Sequence, residues 1–272
     1  MVGMHESRAH GPGSEFAQYR PYIPGDDVRS LDWRVFARTD RYYVRQHVAE
    51  TNLDAWLLVD SSASMGFGSR EVTKLRVAGM LAAALAYLFV RQGDRVGLTV
   101  VGGPGVDTVP ARGGERHLHT LLHALERLVA TGTGSVAGAL DLALGRLKRR
   151  GAVVVVSDLY EPALDVGNAV ARLARAGFDI TLFHVLDRVE RTLDLDAETE
   201  FVGMEEHGHV TADPRRLRRY YLERLDEHVG ALRSACAAAG ADFVEVDTAG
   251  PLDATLARYL RTRVARAAAP GR

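Results

Sequence analysis

Residues 55–64 read Ala-Trp-Leu-Leu-Val-Asp-Ser-Ser-Ala-Ser, a run of five apolar residues followed by an aspartate and three serines. A short, uncharged apolar run of this kind is typical of a strand that is covered on both faces of a parallel sheet. Ligands of such sheets bind beyond the carboxyl ends of the strands. Because alternate side chains of an extended segment share a face, we expect Asp60, Ser62 and Ser64 to converge there.

The rest of the chain alternates strand-like runs with helical patterns. Strands are predicted at Ala55–Val59, Val96–Val101, Val106–Pro110, Val153–Val156, Ile180–Leu186 and Phe243–Val246. Helices are predicted at Lys74–Arg91, Glu115–Val129, Ser135–Arg149, Leu164–Ala176, Pro214–Ala239 and Leu252–Val264. This order predicts an α/β fold with a doubly wound, mostly parallel central sheet flanked by helices. Alternating residues around Glu200–Val210 predict a hairpin inserted at an edge of that sheet.

Composition excludes several classes of protein. The 272 residues carry 34 Lys+Arg and 35 Asp+Glu, so no overall charge favours nucleic acid or an anionic membrane. The uncharged run Val77–Val90 is too short to span a bilayer and predicts a buried helix. Residues 1–14 lack an apolar signal-peptide core. The single cysteine, Cys236, cannot form an internal disulfide. We therefore expect a cytoplasmic protein without a membrane span.

A second polar strand end matches the first. Asp158 follows the run Val153–Val156, and the hydroxyl-rich loop Thr131–Ser135 lies between the two strands in sequence. Carboxylate and hydroxyl oxygens are hard donors that suit Mg²⁺ or Mn²⁺ rather than zinc. The alternative is that each polar stretch only forms a turn or caps a helix. The coincidence of the two strand ends favours a metal site over that alternative.

These residues carry a resemblance to known families. Asp60-x-Ser62-x-Ser64, followed by Met65-Gly66, resembles the metal-ion-dependent adhesion site of von Willebrand factor type A domains. Residues 15–33, Glu-Phe-Ala-Gln-Tyr-Arg-Pro-Tyr-Ile-Pro-Gly-Asp-Asp-Val-Arg-Ser-Leu-Asp-Trp, resemble the signature of domain-of-unknown-function family 58. The later segments 37–40, 50–53 and 247–252 resemble the same family.

The resemblance implies a ligand set and a partner. Asp60, Ser62, Ser64, Thr133 and Asp158 would bind Mg²⁺ or Mn²⁺, with an open position for the Asp or Glu carboxylate of a protein partner. The residue order of the family's motif favours Thr133 as the third hydroxyl ligand, whereas counting back from Ala139-Leu140 places Gly134 or Ser135 at that position. The family implies a non-enzymatic partner or adaptor of a MoxR-type AAA+ ATPase in the assembly or maturation of other proteins. The alternative is a Mg²⁺-dependent hydrolase or phosphotransferase that uses the same site.

The chain is expected to have two parts. Residues 1–52 form an N-terminal extension with the Pro-Gly-Asp-Asp-x-Arg block, and residues 53–265 form the von Willebrand factor type A-like domain. The acidic and basic residues from Arg20 to Asp40 alternate, which favours an ion-pair network packed under Trp33 over a surface that docks a partner.

Overall fold

The computed structural model describes residues 15–23, 31–48, 53–102, 107–147, 151–205 and 208–268. The chain divides into two compact units. One unit comprises Met1–Asn52 with Val264–Arg272, and the other comprises Leu53–Arg263.

The first unit contains three elements that the sequence did not predict. Strands β1 (Glu15–Pro21) and β2 (Tyr43–Val48) pair in antiparallel orientation, and helix α1 (Trp33–Thr39) lies between them in sequence. Asp32 caps α1, because its carboxylate accepts from the backbone N–H groups of Arg34 and Val35 and from the Tyr19 hydroxyl.

The structure describes part of the segment in which an ion-pair network under Trp33 was expected. Trp33 is 60% exposed, and the network stays a prediction. Asp26, Asp27 and Arg29 lie outside the described residues.

The second unit is built on the predicted central sheet. Its strands are β3 (Asp54–Asp60), β4 (Arg95–Val101), β5 (Asp107–Arg112), β6 (Gly151–Ser157), β7 (Asp179–Leu186) and β10 (Asp242–Asp247). Their spatial order in the described residues is β10-β7-β6-β3-β4-β5, and β5 alone runs antiparallel to its neighbour. The doubly wound, mostly parallel α/β fold is therefore confirmed.

Helices cover both faces of this sheet. They are α2 (Lys74–Arg91), α3 (Glu115–Glu126), α4 (Val136–Arg146), α5 (Ala163–Arg175), α6 (Arg188–Thr192), α7 (Pro214–Ala239) and α8 (Leu252–Ala268). One apolar core joins β3, β6 and β7 to α2, α3 and α8, and the other joins the opposite face to α4, α5 and α7. Helix α2 was predicted to be buried, but only one of its faces is, and its Met80 and Tyr87 side chains are exposed. No helix in the described part of the chain combines the length and apolarity that crossing a membrane requires.

The predicted hairpin forms, but not at the edge of the central sheet. Strands β8 (Thr199–Val202) and β9 (His209–Ala212) pair only with each other, as a separate antiparallel sheet. The positions at the edges of the central sheet are taken by β5 and β10.

Each edge strand has a feature that hinders pairing with a further strand. Pro110 lies within β5 and has no N–H to offer a further strand. On β10, the Arg258 guanidinium donates to the backbone carbonyl of Glu245 at 3.2 Å. Part of the hydrogen-bonding edge on each side is therefore unavailable for pairing.

Candidate metal site

Asp60 is the last residue of β3 and is almost fully buried, with 4% of its surface exposed. One carboxylate oxygen accepts from the backbone N–H of Ser62 at 2.8 Å, and the other accepts from the Ser157 hydroxyl at 2.6 Å. Burial raises the pKa of Asp60, the hydrogen bonds from Ser157 and Ser62 oppose that rise, and the nearby Asp158 charge adds to it. The ionised form of Asp60 would therefore be stabilised by a cation.

Ser62 and Ser64 meet beside Asp60. A 3₁₀ turn over Ala63–Gly66 follows the strand, and it brings the two hydroxyl oxygens to 3.1 Å from each other. The intervening serine behaves differently, because the Ser61 hydroxyl donates to the Val101 carbonyl at 3.1 Å. The turn therefore brings two hydroxyls together, while the hydroxyl between them in sequence faces β4.

The loop Thr131–Ser135 lies against the same strand end. Backbone hydrogen bonds join Thr131 to Ser61 and Ala63 to Gly132, each at 2.9 Å. A Cβ atom on Gly134 would lie 3.1 Å from an Asp60 carboxylate oxygen, so the loop backbone closely approaches the carboxylate.

Ser135 has another role in this loop. Its hydroxyl accepts from the Gly138 N–H as the N-cap of α4 and donates to Glu161 at 2.9 Å. Thr133 is exposed and has no such capping role in the described structure. This difference favours Thr133 over Ser135 as the third hydroxyl ligand, and the assignment stays a prediction.

Asp158 lies at the end of β6, as predicted, and has a partner that sequence reasoning missed. The Lys74 ammonium, at the first residue of α2, donates to an Asp158 carboxylate oxygen at 2.7 Å and to Glu190 at 2.7 Å. The Lys74 and Asp158 side chains are 0% and 3% exposed, and that of Glu190 is 15% exposed. Lys74 is 84 residues from Asp158 and 116 from Glu190, so no local pattern links them.

Glu190 belongs to the short helix α6, which the sequence also did not reveal. Its carboxylate accepts from the Asp187 N–H while Asp187 caps the helix, which together form a capping box. Burial raises the pKa of Glu190, although the Lys74 ammonium opposes the rise. Asp187 also accepts from the backbone N–H of Ser69 at 3.1 Å, which ties the segment before α2 to the end of β7.

Two histidines hold the loop after β6. His184 Nε2 lies 2.9 Å from the Asp158 carbonyl oxygen, and His228 Nε2 lies 2.8 Å from the Leu159 carbonyl oxygen. Leu159 is fully buried and has a φ of +51°, which a residue with a side chain rarely adopts. The loop that carries Asp158 is therefore fixed by contacts on both sides.

The donors assembled at this strand end fit a hard divalent cation. Among the described residues, no group of three or more His, Cys, Asp and Glu side chains could hold a metal ion. A cation here would therefore depend on the Ser62 and Ser64 hydroxyls together with carboxylate oxygen. Neutral hydroxyls and carboxylates are oxygen ligands of the kind that Mg²⁺ accepts, and nitrogen and sulfur donors that zinc prefers are not part of the set.

Comparison with solved structures supports the fold. The chain resembles BatB from Bacteroides thetaiotaomicron with a TM-score of 0.51 and 16% identity, covering 80% of this chain and 100% of that one. It resembles an aerotolerance-related membrane protein from Bacteroides fragilis with a TM-score of 0.52 and 16% identity, covering 79% and 99%. The von Willebrand factor type A domain of SpRpn10 has a TM-score of 0.48 and 12% identity, covering 76% and 95%. BatB and the Bacteroides fragilis protein support the α/β fold described above.

Sequence comparison finds related proteins without a described function. Uncharacterized proteins of Mycobacterium bovis and Mycobacterium tuberculosis are 41% identical over 164 residues, which is 59% of this chain and 51% of theirs. The chain thus spans about half the length of the curated relatives it matches. The sequence profile of the family described as "Protein of unknown function DUF58" matches residues 18–230, well over half of the chain, and the chain belongs to that family.

Proposed function

We propose that this chain is a metal-dependent protein-interaction module. In this proposal Asp60, Ser62, Ser64, Thr133 and Asp158 hold Mg²⁺ or Mn²⁺, and the cation accepts an Asp or Glu carboxylate from a protein partner. The observation that carries it is the 3.1 Å approach of the Ser62 and Ser64 hydroxyls beside the buried Asp60 carboxylate. Neutral hydroxyl ligands leave much of the charge of the cation uncompensated, which makes an external carboxylate attractive.

The partner that we propose is a MoxR-type AAA+ ATPase, acting in the assembly or maturation of other proteins. The resemblance to family 58 implies this partner. The sequence itself contains no phosphate-binding loop of the Gly-x-x-x-x-Gly-Lys-Ser/Thr type, so ATP hydrolysis would belong to the partner.

His184 does not support the hydrolase alternative. Burial lowers its pKa to about 4, and its Nε2 is engaged with the Asp158 carbonyl oxygen rather than aimed at a substrate. A general base needs to reach the proton that it removes. Binding is therefore the function that the geometry supports better.

The proposal is tested by capture of a purified MoxR-type ATPase on the immobilised chain, in Mg²⁺ and in EDTA. We expect capture in Mg²⁺ only, and loss of capture in the variant that combines Ser62→Ala with Ser64→Ala. Ser61→Ala is the matched control, because its hydroxyl faces Val101, and it should retain capture. Equal capture in Mg²⁺ and EDTA would refute metal dependence, and no capture in either would refute the partner.

A further inference from the structure

Lys74 is a charged side chain in a fully buried position. Its ammonium contacts Asp158 and Glu190 at 2.7 Å each, and it lies 4.9 Å from the centre of the Tyr160 ring. An ammonium without partners is strongly unfavourable in such a place. Two carboxylates and an aromatic face therefore surround this position in the way that a positive charge requires.

The same contact changes the electrostatics of the candidate metal site. Asp158 is one of the two carboxylates proposed for the cation, and one of its oxygens already accepts from Lys74. A divalent ion binding to Asp158 would therefore be close to a resident positive charge. That charge opposes the ion, and the low exposure of both side chains limits screening by water.

Glu190 moderates this opposition. Its carboxylate contacts the same ammonium from the other side, so it compensates part of the Lys74 charge. Removal of the Glu190 charge would leave Lys74 more positive towards Asp158, whereas removal of the Lys74 charge would leave Asp158 without a counter-charge. The two changes alter the local charge in opposite directions.

We propose that Lys74 is a resident counter-cation of the oxygen site: a positioning residue that holds the Asp158 carboxylate in place and weakens the affinity of the site for a divalent ion. This inference deepens the proposed function and rests on it. In this inference, the Asp158 carboxylate is paired with Lys74 alone when no metal is bound, and with both Lys74 and the ion when metal binds. It also means that the cation is bound weakly enough for an incoming carboxylate to add substantially to its binding.

The experiment is isothermal titration of the full chain with Mg²⁺, for the wild type, Lys74→Met, Glu190→Gln and the double variant. We expect Lys74→Met to bind Mg²⁺ at least about tenfold more tightly than the wild type, because it removes a positive charge near the ion. We expect Glu190→Gln to bind Mg²⁺ more weakly, because it removes a negative charge. The double variant removes one charge of each sign and should lie near the wild type. Circular dichroism checks that each variant is folded.

A purely structural role for Lys74 predicts a different pattern. Both single changes would then loosen the site, and a shift of both affinities in the same direction would overturn the inference. Equal affinities in all four proteins would overturn it too, while the proposed function would stand. Binding by Lys74→Met but not by the wild type would support the inference and refute a metal-dependent wild-type function. Absence of binding in all four proteins would refute both.

The outcome does not depend on Lys74→Met alone. If that variant does not fold, Glu190→Gln and the double variant decide. Weaker binding by Glu190→Gln with recovery in the double variant supports the inference, and no difference between these two variants overturns it.

Discussion

Gly102 lies against the backbone of the candidate metal site. It has a φ of +127°, and a Cβ atom there would lie 2.6 Å from the carbonyl carbon of Ser61 and 2.7 Å from the backbone nitrogen of Ser62. Gly102→Ala should lower the free energy of unfolding by about 1–3 kcal/mol, because of the left-handed conformation and because the 61–62 backbone must move. Chemical denaturation measures the change.

Gly145→Ala is the control for this prediction. Gly145 lies in α4, and apart from the neighbouring backbone of that helix no atom lies within 4 Å of the place that a Cβ would take. Alanine there should be neutral or should stabilise the helix by about 0.5–1 kcal/mol. An equal loss of stability in both variants would show that the positive φ and the close approach at Gly102 are unimportant.

Cys236 gives a second prediction at this scale. It is the single cysteine of the chain, it is 1% exposed, and burial raises the pKa of its thiol to about 11. At pH 8 the native protein should therefore react with a thiol reagent only when it unfolds, since the thiolate is the nucleophile. If the folded chain were labelled as rapidly as the same chain in denaturant, this prediction would be contradicted.

Individual residues show what the sequence could and could not predict. Alternation in an extended segment led us to expect Ser62 and Ser64 on one face. Their hydroxyls do meet, but it is the 3₁₀ turn over Ala63–Gly66 that brings them together. The contact of Lys74 with Asp158 and Glu190 was not predictable, because it depends on the meeting of α2, β6 and α6. A lysine at the first position of a helix gives no sign of being buried. Whether the oxygen atoms bind metal stays a prediction.

Helices with strong end signals were predicted with their correct bounds. Helix α7 begins at Pro214 after the capping residue Asp213 and ends before Gly240, which has a φ of +73°. Helix α2 begins after the capping residue Thr73. The short elements α1 and α6 were missed because five to seven residues show too little periodicity to be distinguished from a loop.

Glu161 gives a prediction about one element. Its carboxylate accepts from the backbone N–H groups of Val136 and Ala137 and from the Ser135 hydroxyl, so it caps the beginning of α4 from outside the helix. Glu161→Ala should lower the free energy of unfolding by about 0.5–2 kcal/mol, in the range of lost helix caps. It should also weaken Mg²⁺ binding, because the capped segment continues the loop that lies against Asp60.

The control is Glu223→Gln. Glu223 pairs with Arg219 on the exposed surface of α7, and loss of that pair should change stability by no more than about 0.5 kcal/mol. If Glu161→Ala lowers stability no more than this control does, the contacts of Glu161 with α4 do not stabilise the helix.

The last prediction concerns the stability of the whole molecule in metal. If the dissociation constant for Mg²⁺ is about 0.1 mM, then about 1 mM Mg²⁺ adds about 1.4 kcal/mol to the free energy of unfolding. For a chain of this size that is a rise in Tm of roughly 2–4 °C. Thermal melts in Mg²⁺ and in EDTA measure it, with the Ser62→Ala, Ser64→Ala double variant as the control that should not respond. Superimposable wild-type melts would count against the metal site.

The features that hinder pairing at the two edges of the central sheet affect how the protein behaves in concentrated solution. An open sheet can grow by adding a strand from a neighbouring copy, which is a route to aggregation. Here Pro110 interrupts the donors of β5, and Arg258 occupies an acceptor of β10. A shared sheet between copies would have to form against both features. Strand pairing between copies is therefore hindered at both edges. At high concentration, this protein should form amyloid-like stacks less readily than a protein whose sheet has open edges.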